Sequence, residues 1–185
     1  MDRGLEVYRR FLDGDEKALD ELIVMYRNPL TAFIRGFVKD SDTAESIMID
    51  VFVELICHKG FKGKSGLKTY LFTIGRNKAL RYLKKSNRQN SIAFDDIENY
   101  ISDDDLLTEK LIDAERNEMI HEAMAKLNPV YREVLYLLYF EEMSYKEVSF
   151  VLRKSTKQVA NIAYRAKQSL KLHIEERMSA YEQNK

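Results

Sequence analysis

Two helix starts near the carboxyl end constrain the fold of this chain more than any other feature of its sequence. Ser144 is followed three residues later by Glu147, and Ser155 is followed three residues later by Gln158. Each pair predicts a capping box, in which the serine oxygen accepts a hydrogen bond from a backbone N–H and the Glu or Gln side chain accepts one from the serine's own N–H. Because the starts are eleven residues apart, they predict two short helices joined by a tight turn.

The second predicted helix has one apolar face and one polar face. At 3.6 residues per turn, the apolar side carries Val159, Ile162, Ala163, Ala166 and Leu170. The opposite side carries Lys157, Asn161, Tyr164, Gln168 and Lys171, with Arg165 beside them. Amide and basic groups of this kind bind base edges and phosphates in the major groove. The pattern therefore predicts a DNA-binding helix-turn-helix, and an ordinary helical hairpin with a solvated polar face is the alternative.

The turn between these two helices contains no glycine. Arg153 and Lys154 stand where the chain leaves the first helix. Helices often end in a left-handed residue, and this conformation costs a residue with a side chain about 1 kcal/mol. The sequence therefore predicts a positive φ at Arg153.

Helical periodicity continues through most of the remaining chain, and no sustained strand alternation interrupts it. Helix-spaced apolar residues predict helices over residues 4–38, with a break at Gly14 and a kink or restart at Pro29. Further helices are predicted from Asp42 to Leu55 and from about Leu67 to about Ser86. We therefore expect an all-α fold.

A less regular stretch separates this first half from the helices near the carboxyl end. Residues 87–110 are rich in Asn, Asp and Ser and have no helical period, which favours a linker. A second helical unit is expected to start near Leu111, and Pro129 is well placed in the first turn of a helix. The sequence thus predicts two small helical domains.

Charge is strongly segregated along a chain whose 30 basic and 30 acidic residues cancel. Residues 61–90 contain nine basic residues and no acidic one, and residues 151–173 contain six basic residues and no acidic one. Between these stretches, residues 91–122 carry eleven acidic residues against two basic ones. Two local basic patches on a neutral chain indicate two docking points on a polyanion and argue against nonspecific coating.

Several other classes of protein are excluded by the sequence. No apolar run is long enough to span a membrane, and the first residues are too charged for a signal peptide, so we expect a cytoplasmic protein without membrane insertion. Cys57 cannot form an internal disulfide, and His121 and His173 are too far from Cys57 and His58 for a metal motif. No nucleophile or paired-carboxylate constellation stands out. We therefore expect neither metal nor cofactor, and no enzymatic activity.

The segment LNPVYREVLYLLYFEEMSYKEVSFVLRKSTKQVANIAYRAKQSLK resembles the region-4 domain of the extracytoplasmic-function sigma factors of bacterial RNA polymerase. GDEKALDELIVMY, DTAESIMIDVFVEL and FKGKSGLKTYLFTIGRNKALRYLKK resemble consecutive parts of region 2 of the same family. The resemblance runs from about Gly14 to His173 in the family's order. It implies region 2 in residues 1–90, a flexible acidic linker in 91–110 and region 4 in 111–185.

The resemblance implies a factor that binds core RNA polymerase, directs it to promoters and promotes DNA melting. Region 2 would read and open the minus-ten element, and region 4 would read the minus-thirty-five element as duplex DNA. An anti-sigma factor is a further partner that the resemblance allows. A polymerase-independent helix-turn-helix regulator is the alternative, and the match in the first half argues against it.

Carried onto this chain, the resemblance implies three sets of binding residues. The minus-ten set is Phe61, Lys62, Lys64, Tyr70, Arg76, Asn77, Lys78, Arg81, Lys85 and Arg88. The minus-thirty-five set is Ser155, Thr156, Lys157, Gln158, Asn161, Tyr164, Arg165, Gln168 and Lys171. The core polymerase set is Asp42, Glu45, Ile49, Asp50 and Glu54.

The residue chemistry supports the minus-ten set independently of the resemblance. Lys78, Arg81, Lys85 and Arg88 recur at helical spacing and form one stripe suited to a phosphate backbone. Phe61, Tyr70 and Phe72 are interleaved with the basic residues and are aromatics of the kind on which unstacked bases are held. Asn77 offers both a donor and an acceptor to a base edge. Core packing is the alternative for Tyr70 and Phe72, and a solvated helix face is the alternative for the basic stripe.

The chain departs from the family pattern at several positions. Tyr70 replaces the usual Trp, and Ile49 and Asp50 replace a usual Gln-Glu pair. In the second helix of the helix-turn-helix, Ala160 and Ile162 replace a Lys and an Arg. These differences imply a promoter sequence that differs from the family's commonest one.

Overall fold

The computed structural model describes residues 3–38, 40–58, 61–89, 120 and 122–183, and every regular element within them is helical. The helices are α1 (Arg3–Leu12), α2 (Glu16–Arg35), α3 (Ser41–His58), α4 (Leu67–Gln89), α5 (Pro129–Leu135), α6 (Tyr145–Leu152) and α7 (Thr156–Gln183). A π-helical turn, Tyr136–Phe140, follows α5 directly. The all-α prediction is confirmed for the described residues, and the predicted linker 91–110 lies outside them.

The break between α1 and α2 falls where the sequence predicts it. Gly14 has a φ of 100°, which a residue with a side chain rarely adopts. Asp15 then caps α2, because its carboxylate accepts a hydrogen bond from the backbone N–H of Lys17 at 3.1 Å. The pKa of Asp15 is lowered, mainly by its hydrogen bond with Arg10.

Of the two alternatives predicted at Pro29, a kink or a restart, the restart is wrong, because α2 runs through this residue as one helix. Pro29 has no N–H to donate to the carbonyl four residues earlier, which normally weakens a helix. Leu30, Phe33 and Ile34 are buried immediately after it and keep this part of the helix packed against its neighbours. Tertiary packing therefore overrides the local signal.

The core of the first half lies between α2, α3 and α4. Its fully buried side chains include Leu22, Leu30, Ile34, Val51, Leu55, Leu67, Leu71 and Phe72. Gly75 lets α4 pass close to α2, since a Cβ at this position would lie only 3.1 Å from Cδ1 of Leu30. Because α4 packs closely against α2 on this side, its exposed residues lie on its other sides.

A buried arginine organises the start of the second half. Asn128 caps α5 by accepting a hydrogen bond from the N–H of Val130 at 2.9 Å, and Pro129 occupies the first turn as predicted. The buried side chain of Arg132 donates to the carbonyls of Met124, at 3.0 Å, and Leu127, at 3.3 Å. These carbonyls lie at the end of the preceding helical turn, residues 122–125, and just after it, and Arg132 thereby satisfies acceptors that a helix end leaves without partners.

Both predicted capping boxes are confirmed. The N–H of Ser144 donates to Glu147 at 2.8 Å, and the N–H of Glu147 donates to the Ser144 hydroxyl at 3.3 Å. The N–H of Ser155 donates to Gln158 at 2.8 Å, and the N–H of Gln158 donates to the Ser155 hydroxyl at 3.2 Å. Arg153 ends α6 in the left-handed conformation, with φ 53° and ψ 41°, as the turn requires.

The two halves share one hydrophobic core. Val134, Leu137 and Val148 of the second half belong to the same buried cluster as the core of α2, α3 and α4. Tyr136 stacks on Phe33 of α2, with ring centroids 5.8 Å apart. The predicted helix-turn-helix is therefore held directly against the first four helices.

We expect Arg153→Gly to raise the free energy of unfolding by up to about 1 kcal/mol, because glycine adopts a positive φ without the steric cost. Urea unfolding followed by circular dichroism measures the change. Lys146→Gly is the matched control, since Lys146 is exposed inside α6 and should lose about 1 kcal/mol of helix propensity. A loss at Arg153 as large as that of the control would contradict the strain assigned to the turn.

Candidate functional site

Helix α4 carries most of the predicted minus-ten residues, but it does not present them on a single side. Arg76 and Lys78 are two residues apart, so their side chains lie on nearly opposite sides of the helix, about 160° apart. Lys78, Arg81 and Lys85 share one side by helical spacing, whereas Lys68 and Arg76 lie on the other. The contacts of these residues agree with that division.

The first side of α4 forms a basic surface with the preceding loop. Lys62 and Lys64 are exposed in that loop, which turns at Gly63 with a φ of 68°. Arg81 and Lys85 are exposed on the helix and, among the described residues, have no ion-pair partner. We call Lys62, Lys64, Arg81 and Lys85 the α4 basic surface. Helix α4 includes Arg88, whose side chain lies outside the description.

Lys78 is less available than the sequence indicates. Its ammonium lies 3.0 Å from the carboxylate of Glu54 on α3, and its side chain is mostly buried. This ion pair joins a residue predicted to bind DNA to one predicted to bind polymerase. The charges of Lys78 and Glu54 are therefore paired with each other in this structure.

The aromatic residues of the minus-ten set form the edge of the core. Phe61 contacts Tyr70 and the buried Tyr8, with centroid distances of 5.3 Å and 5.8 Å. Burial raises the pKa of Tyr70, and the negative charge of Glu54 adds to the shift. Phe61 and Tyr70 are both half-buried, so each combines core packing with an accessible edge.

Asn77 lies on the same side of α4 as Tyr70, about two helical turns further along. It is half-buried, and its side-chain amide has no hydrogen-bond partner among the described residues. A half-buried amide without a partner keeps its donor and its acceptor available to a ligand. The structure thus leaves Asn77 able to bind a base edge.

Arg76 is set apart from the other predicted minus-ten residues. Its guanidinium binds Glu133 of α5 through two contacts, Nε to Oε1 at 2.6 Å and Nη2 to Oε2 at 3.3 Å. The Glu133 side chain is 3% exposed and the Arg76 side chain 18% exposed. Arg76 therefore faces the second half of the chain and does not join the α4 basic surface.

The outward face of α7 matches the prediction closely. Lys157, Asn161, Arg165, Gln168 and Lys171 are exposed, and Tyr164 is 64% exposed. The amide of Gln168 donates to the Tyr164 hydroxyl at 2.8 Å, which orients both side chains. Val159, Ala163 and Ala166 are buried on the opposite face, as expected.

Other predicted residues of the minus-thirty-five set have structural partners. Ser155 and Gln158 cap α7 with each other, while Thr156 is exposed at its start. Sequence reasoning missed Lys167, whose ammonium lies 5.1 Å from the ring centroid of exposed Tyr139. Its place three residues after Tyr164 is the signal that would have identified it.

Helix α3 exposes an apolar pair flanked by acidic residues. Ile49 is 54% exposed and Val53 is 48% exposed, and the two are neighbours on one helix face. Asp42 and Asp50 are exposed, whereas Glu45 pairs with Arg27 and Glu54 pairs with Lys78. Val53 was missed from the sequence, although its spacing from Ile49 was the available signal.

The described residues were searched for metal-ligand clusters and for membrane-spanning helices. No group of three or more potential metal ligands clusters there. None of the helices searched is long and apolar enough to cross a membrane. The described surfaces are suited to binding through charge, hydrogen bonds and apolar contact.

Comparison with known families accounts for both halves of the chain. The family model described as Sigma-70 region 2 matches residues 22–89, and the one described as Sigma-70, region 4 matches residues 117–170. The ECF RNA polymerase sigma factor SigM of Bacillus subtilis strain 168 is 29% identical over 153 residues, which cover 83% of this chain and 93% of SigM.

Two solved structures share the fold. One is the sigma factor RpoE, solved in complex with the anti-sigma factor NepR from Bartonella quintana, with a TM-score of 0.67 and 19% identity over 86% of this chain and 98% of that one. The other is CnrH, solved in complex with the cytosolic domain of CnrY, with a TM-score of 0.64 and 22% identity over 92% of this chain and 96% of that one. At these identities the likeness extends to the fold.

Proposed function

Because the chain belongs to the extracytoplasmic-function sigma factors, which direct RNA polymerase to promoters, we propose that its two halves bind two separate promoter elements. The observation that carries this proposal is the α4 basic surface together with Asn77, whose amide has no hydrogen-bond partner among the described residues, in the half that matches region 2. An operator-binding regulator would need only α6 and α7 and would leave this surface without a role. The role proposed is therefore binding and melting of DNA, without a catalytic step by this chain.

The second half would bind the minus-thirty-five element through α7. Its exposed face lies on a helix that is held by a capping box and by buried Val159, Ala163 and Ala166. Asn161 and Arg165 have the geometry for bidentate contacts with adenine and guanine in the major groove. Lys157 and Lys171 would bind phosphates, which positions the helix without reading sequence.

The first half would bind the minus-ten element and hold it open. Cations of the α4 basic surface would bind the backbone, and each phosphate contact would add to the salt dependence of affinity. Phe61, Tyr70 and Asn77 adjoin this surface and would receive an unstacked base, since stacking on an aromatic contributes about 1–3 kcal/mol per base. Melting is favoured because only the unpaired base reaches these groups.

The apolar pair on α3 would bind core polymerase. Exposed Ile49 and Val53 lie between charged residues, which is the usual pattern of an interface core with a polar rim. Because core polymerase and promoter DNA are cytoplasmic, we propose that the chain acts there without a cofactor. The related RpoE and CnrH structures contain an anti-sigma factor and CnrY, respectively, and we propose a regulator of this kind for this chain.

We expect Asn77→Ala to impair promoter melting while leaving duplex binding nearly unchanged, because it removes a donor and an acceptor but no charge. In transcription reactions with core polymerase, permanganate-reactive thymines near the start site should decrease. A template with a pre-opened bubble should recover part of the activity. Asn28→Ala, at an exposed position of α2, is the matched control. Wild-type opening rates in Asn77→Ala would rule out its role in melting.

We expect Asn161→Ala and Arg165→Ala to change base preference at one or two upstream positions, at about 1–3 kcal/mol for each lost bidentate contact. Lys157→Ala and Lys171→Ala should instead weaken all sequences similarly and reduce the salt dependence of binding. Binding to a randomised minus-thirty-five duplex library, sequenced at several salt concentrations, separates the two effects. Identical behaviour of all four variants would show that none of these residues reads bases.

We expect Ile49→Glu combined with Val53→Glu to lower the affinity for core polymerase at least about tenfold, because a buried apolar anchor commonly contributes more than 1 kcal/mol to an interface. Titration of labelled protein with core polymerase measures the change. Val24→Glu is the matched control, since Val24 is 80% exposed on α2. Equal losses in both variants would place the polymerase contact elsewhere.

A further inference from the structure

The negative charge of Glu54 lies at a basic part of the molecular surface. Its carboxylate, on α3, is 3.0 Å from the ammonium of Lys78 on α4. Lys78 shares its side of α4 with Arg81 and Lys85, which are exposed and belong to the α4 basic surface. Because residues 61–90 contain no acidic residue, a carboxylate at this place has to come from another element, and Glu54 supplies one.

The Lys78–Glu54 pair is partly covered by the protein. The Lys78 side chain is 22% exposed and the Glu54 side chain is 39% exposed. Salt screens a partly buried pair less than a pair that is open to solvent, so this pair persists at moderate ionic strength. Lys78 therefore has to leave Glu54 before it can bind a phosphate of DNA, and a phosphate that approached it would also be repelled by the carboxylate.

The same carboxylate acts on the aromatic edge of the minus-ten set. Burial raises the pKa of Tyr70, and the negative charge of Glu54 adds to this shift. The carboxylate is thus near enough to Tyr70 for its field to act on the phenol. A DNA strand that passed between Tyr70 and Lys78 would bring its phosphates towards this negative charge, which is unfavourable.

The direction of the Glu54 side chain distinguishes it from its neighbours on α3. Asp50 is exposed one turn earlier, and the apolar pair Ile49 and Val53 is exposed beside it. Glu54 instead directs its carboxylate to α4. Its charge therefore lies next to the surface proposed for the minus-ten element, although the family resemblance placed Glu54 in the core polymerase set.

The size of the effect on DNA binding follows from the number of cations that can bind phosphate. Each phosphate neutralised by a lysine or an arginine releases counterions, so the log of the affinity for single-stranded DNA falls with the log of salt concentration by a slope of about 0.7 per contact. A lysine held by a carboxylate makes no such contact. Releasing Lys78 should therefore steepen the slope by about 0.7. It should raise affinity about two- to fivefold, which corresponds to the usual strength of one exposed ion pair.

We propose that Glu54 is a positioning residue of the minus-ten surface, which holds Lys78 and excludes the DNA backbone from this part of α4. The backbone then follows Arg81 and Lys85, and single strands are bound less tightly than the number of cations on α4 would allow. This role rests on the proposed function, because it requires that the α4 basic surface binds DNA.

The first experiment measures binding of the full-length chain to labelled single-stranded oligodeoxythymidine at several salt concentrations. Glu54→Gln should bind about two- to fivefold more tightly at moderate salt, and its plot of log affinity against log salt concentration should be steeper by about 0.7. Glu21→Gln is the matched control, because it makes the same change of charge in an ion pair with Arg10, within α1 and α2. Its slope should equal that of the wild-type chain.

A double variant shows whether Lys78 carries the gain. Adding Lys78→Gln to Glu54→Gln restores the net charge of the wild-type chain and should abolish both the gain in affinity and the added slope. Glu54→Ala is a second neutral variant that should behave like Glu54→Gln, and far-UV circular dichroism checks the helix content of each protein. An unchanged slope in both neutral variants, a gain that survives in the double variant, or equal steepening in Glu21→Gln would overturn the role of Glu54.

The second experiment locates the phosphate that Lys78 would bind. Single phosphates of a minus-ten strand held open by mismatches are replaced by uncharged methylphosphonates, and binding is measured with core polymerase present. In Glu54→Gln one further position should become sensitive, with a loss of about two- to fivefold, and Lys78→Gln should remove this sensitivity. Identical sensitive positions in the wild-type chain and Glu54→Gln would overturn the exclusion of the backbone. Core polymerase that gains no minus-ten binding from this chain would count against the proposed function, whereas the oligodeoxythymidine measurements test Glu54 without polymerase.

Discussion

The buried ion pair between Arg76 and Glu133 determines how the two halves of this protein meet. Burial raises the pKa of Glu133, because a carboxylate loses its hydration, and Arg76 and Lys154 offset only part of that shift by favouring the charged form. Such pairs often add little net stability, yet breaking one is costly. The pair therefore sets the geometry of the interface more than its strength, and the aromatic stack beside it adds the apolar contact.

Helix α4 has distinct environments on its different sides, so one segment contributes to the core and also exposes unpaired charge. Leu71 and Phe72 are buried against neighbouring helices, and Arg76 faces region 4. Arg81 and Lys85 remain exposed and without ion pairs among the described residues, so their charge stays available to a polyanion. The basic residues of this acid-free segment therefore do not form one continuous exposed surface, because Lys68 and Arg76 pair with acidic residues of the second half.

Irregular backbone is concentrated where region 4 meets region 2. Tyr136–Phe140 is π-helical, and Glu142 adopts a φ of 53° immediately afterwards. The N–H of Met143 donates to the carbonyl of Leu137 at 2.9 Å and closes this turn. The irregular segment brings Tyr136 against Phe33 and Glu141 against Lys68, and π-helical turns are often found at functional positions of this kind.

Local signals in the sequence determined the helix-turn-helix and the outward face of α7. Capping boxes and the positive φ of Arg153 depend on groups within a few residues of one another, so their physical basis is contained in a short segment. The exposure of Asn161 and Arg165 followed from helical spacing for the same reason. Only the tertiary structure decided that α2 continues through Pro29, since buried neighbours compensate for the missing N–H. It also decided that Arg76 pairs with Glu133, 57 residues away, because packing alone brings two such distant charges into one low-dielectric contact.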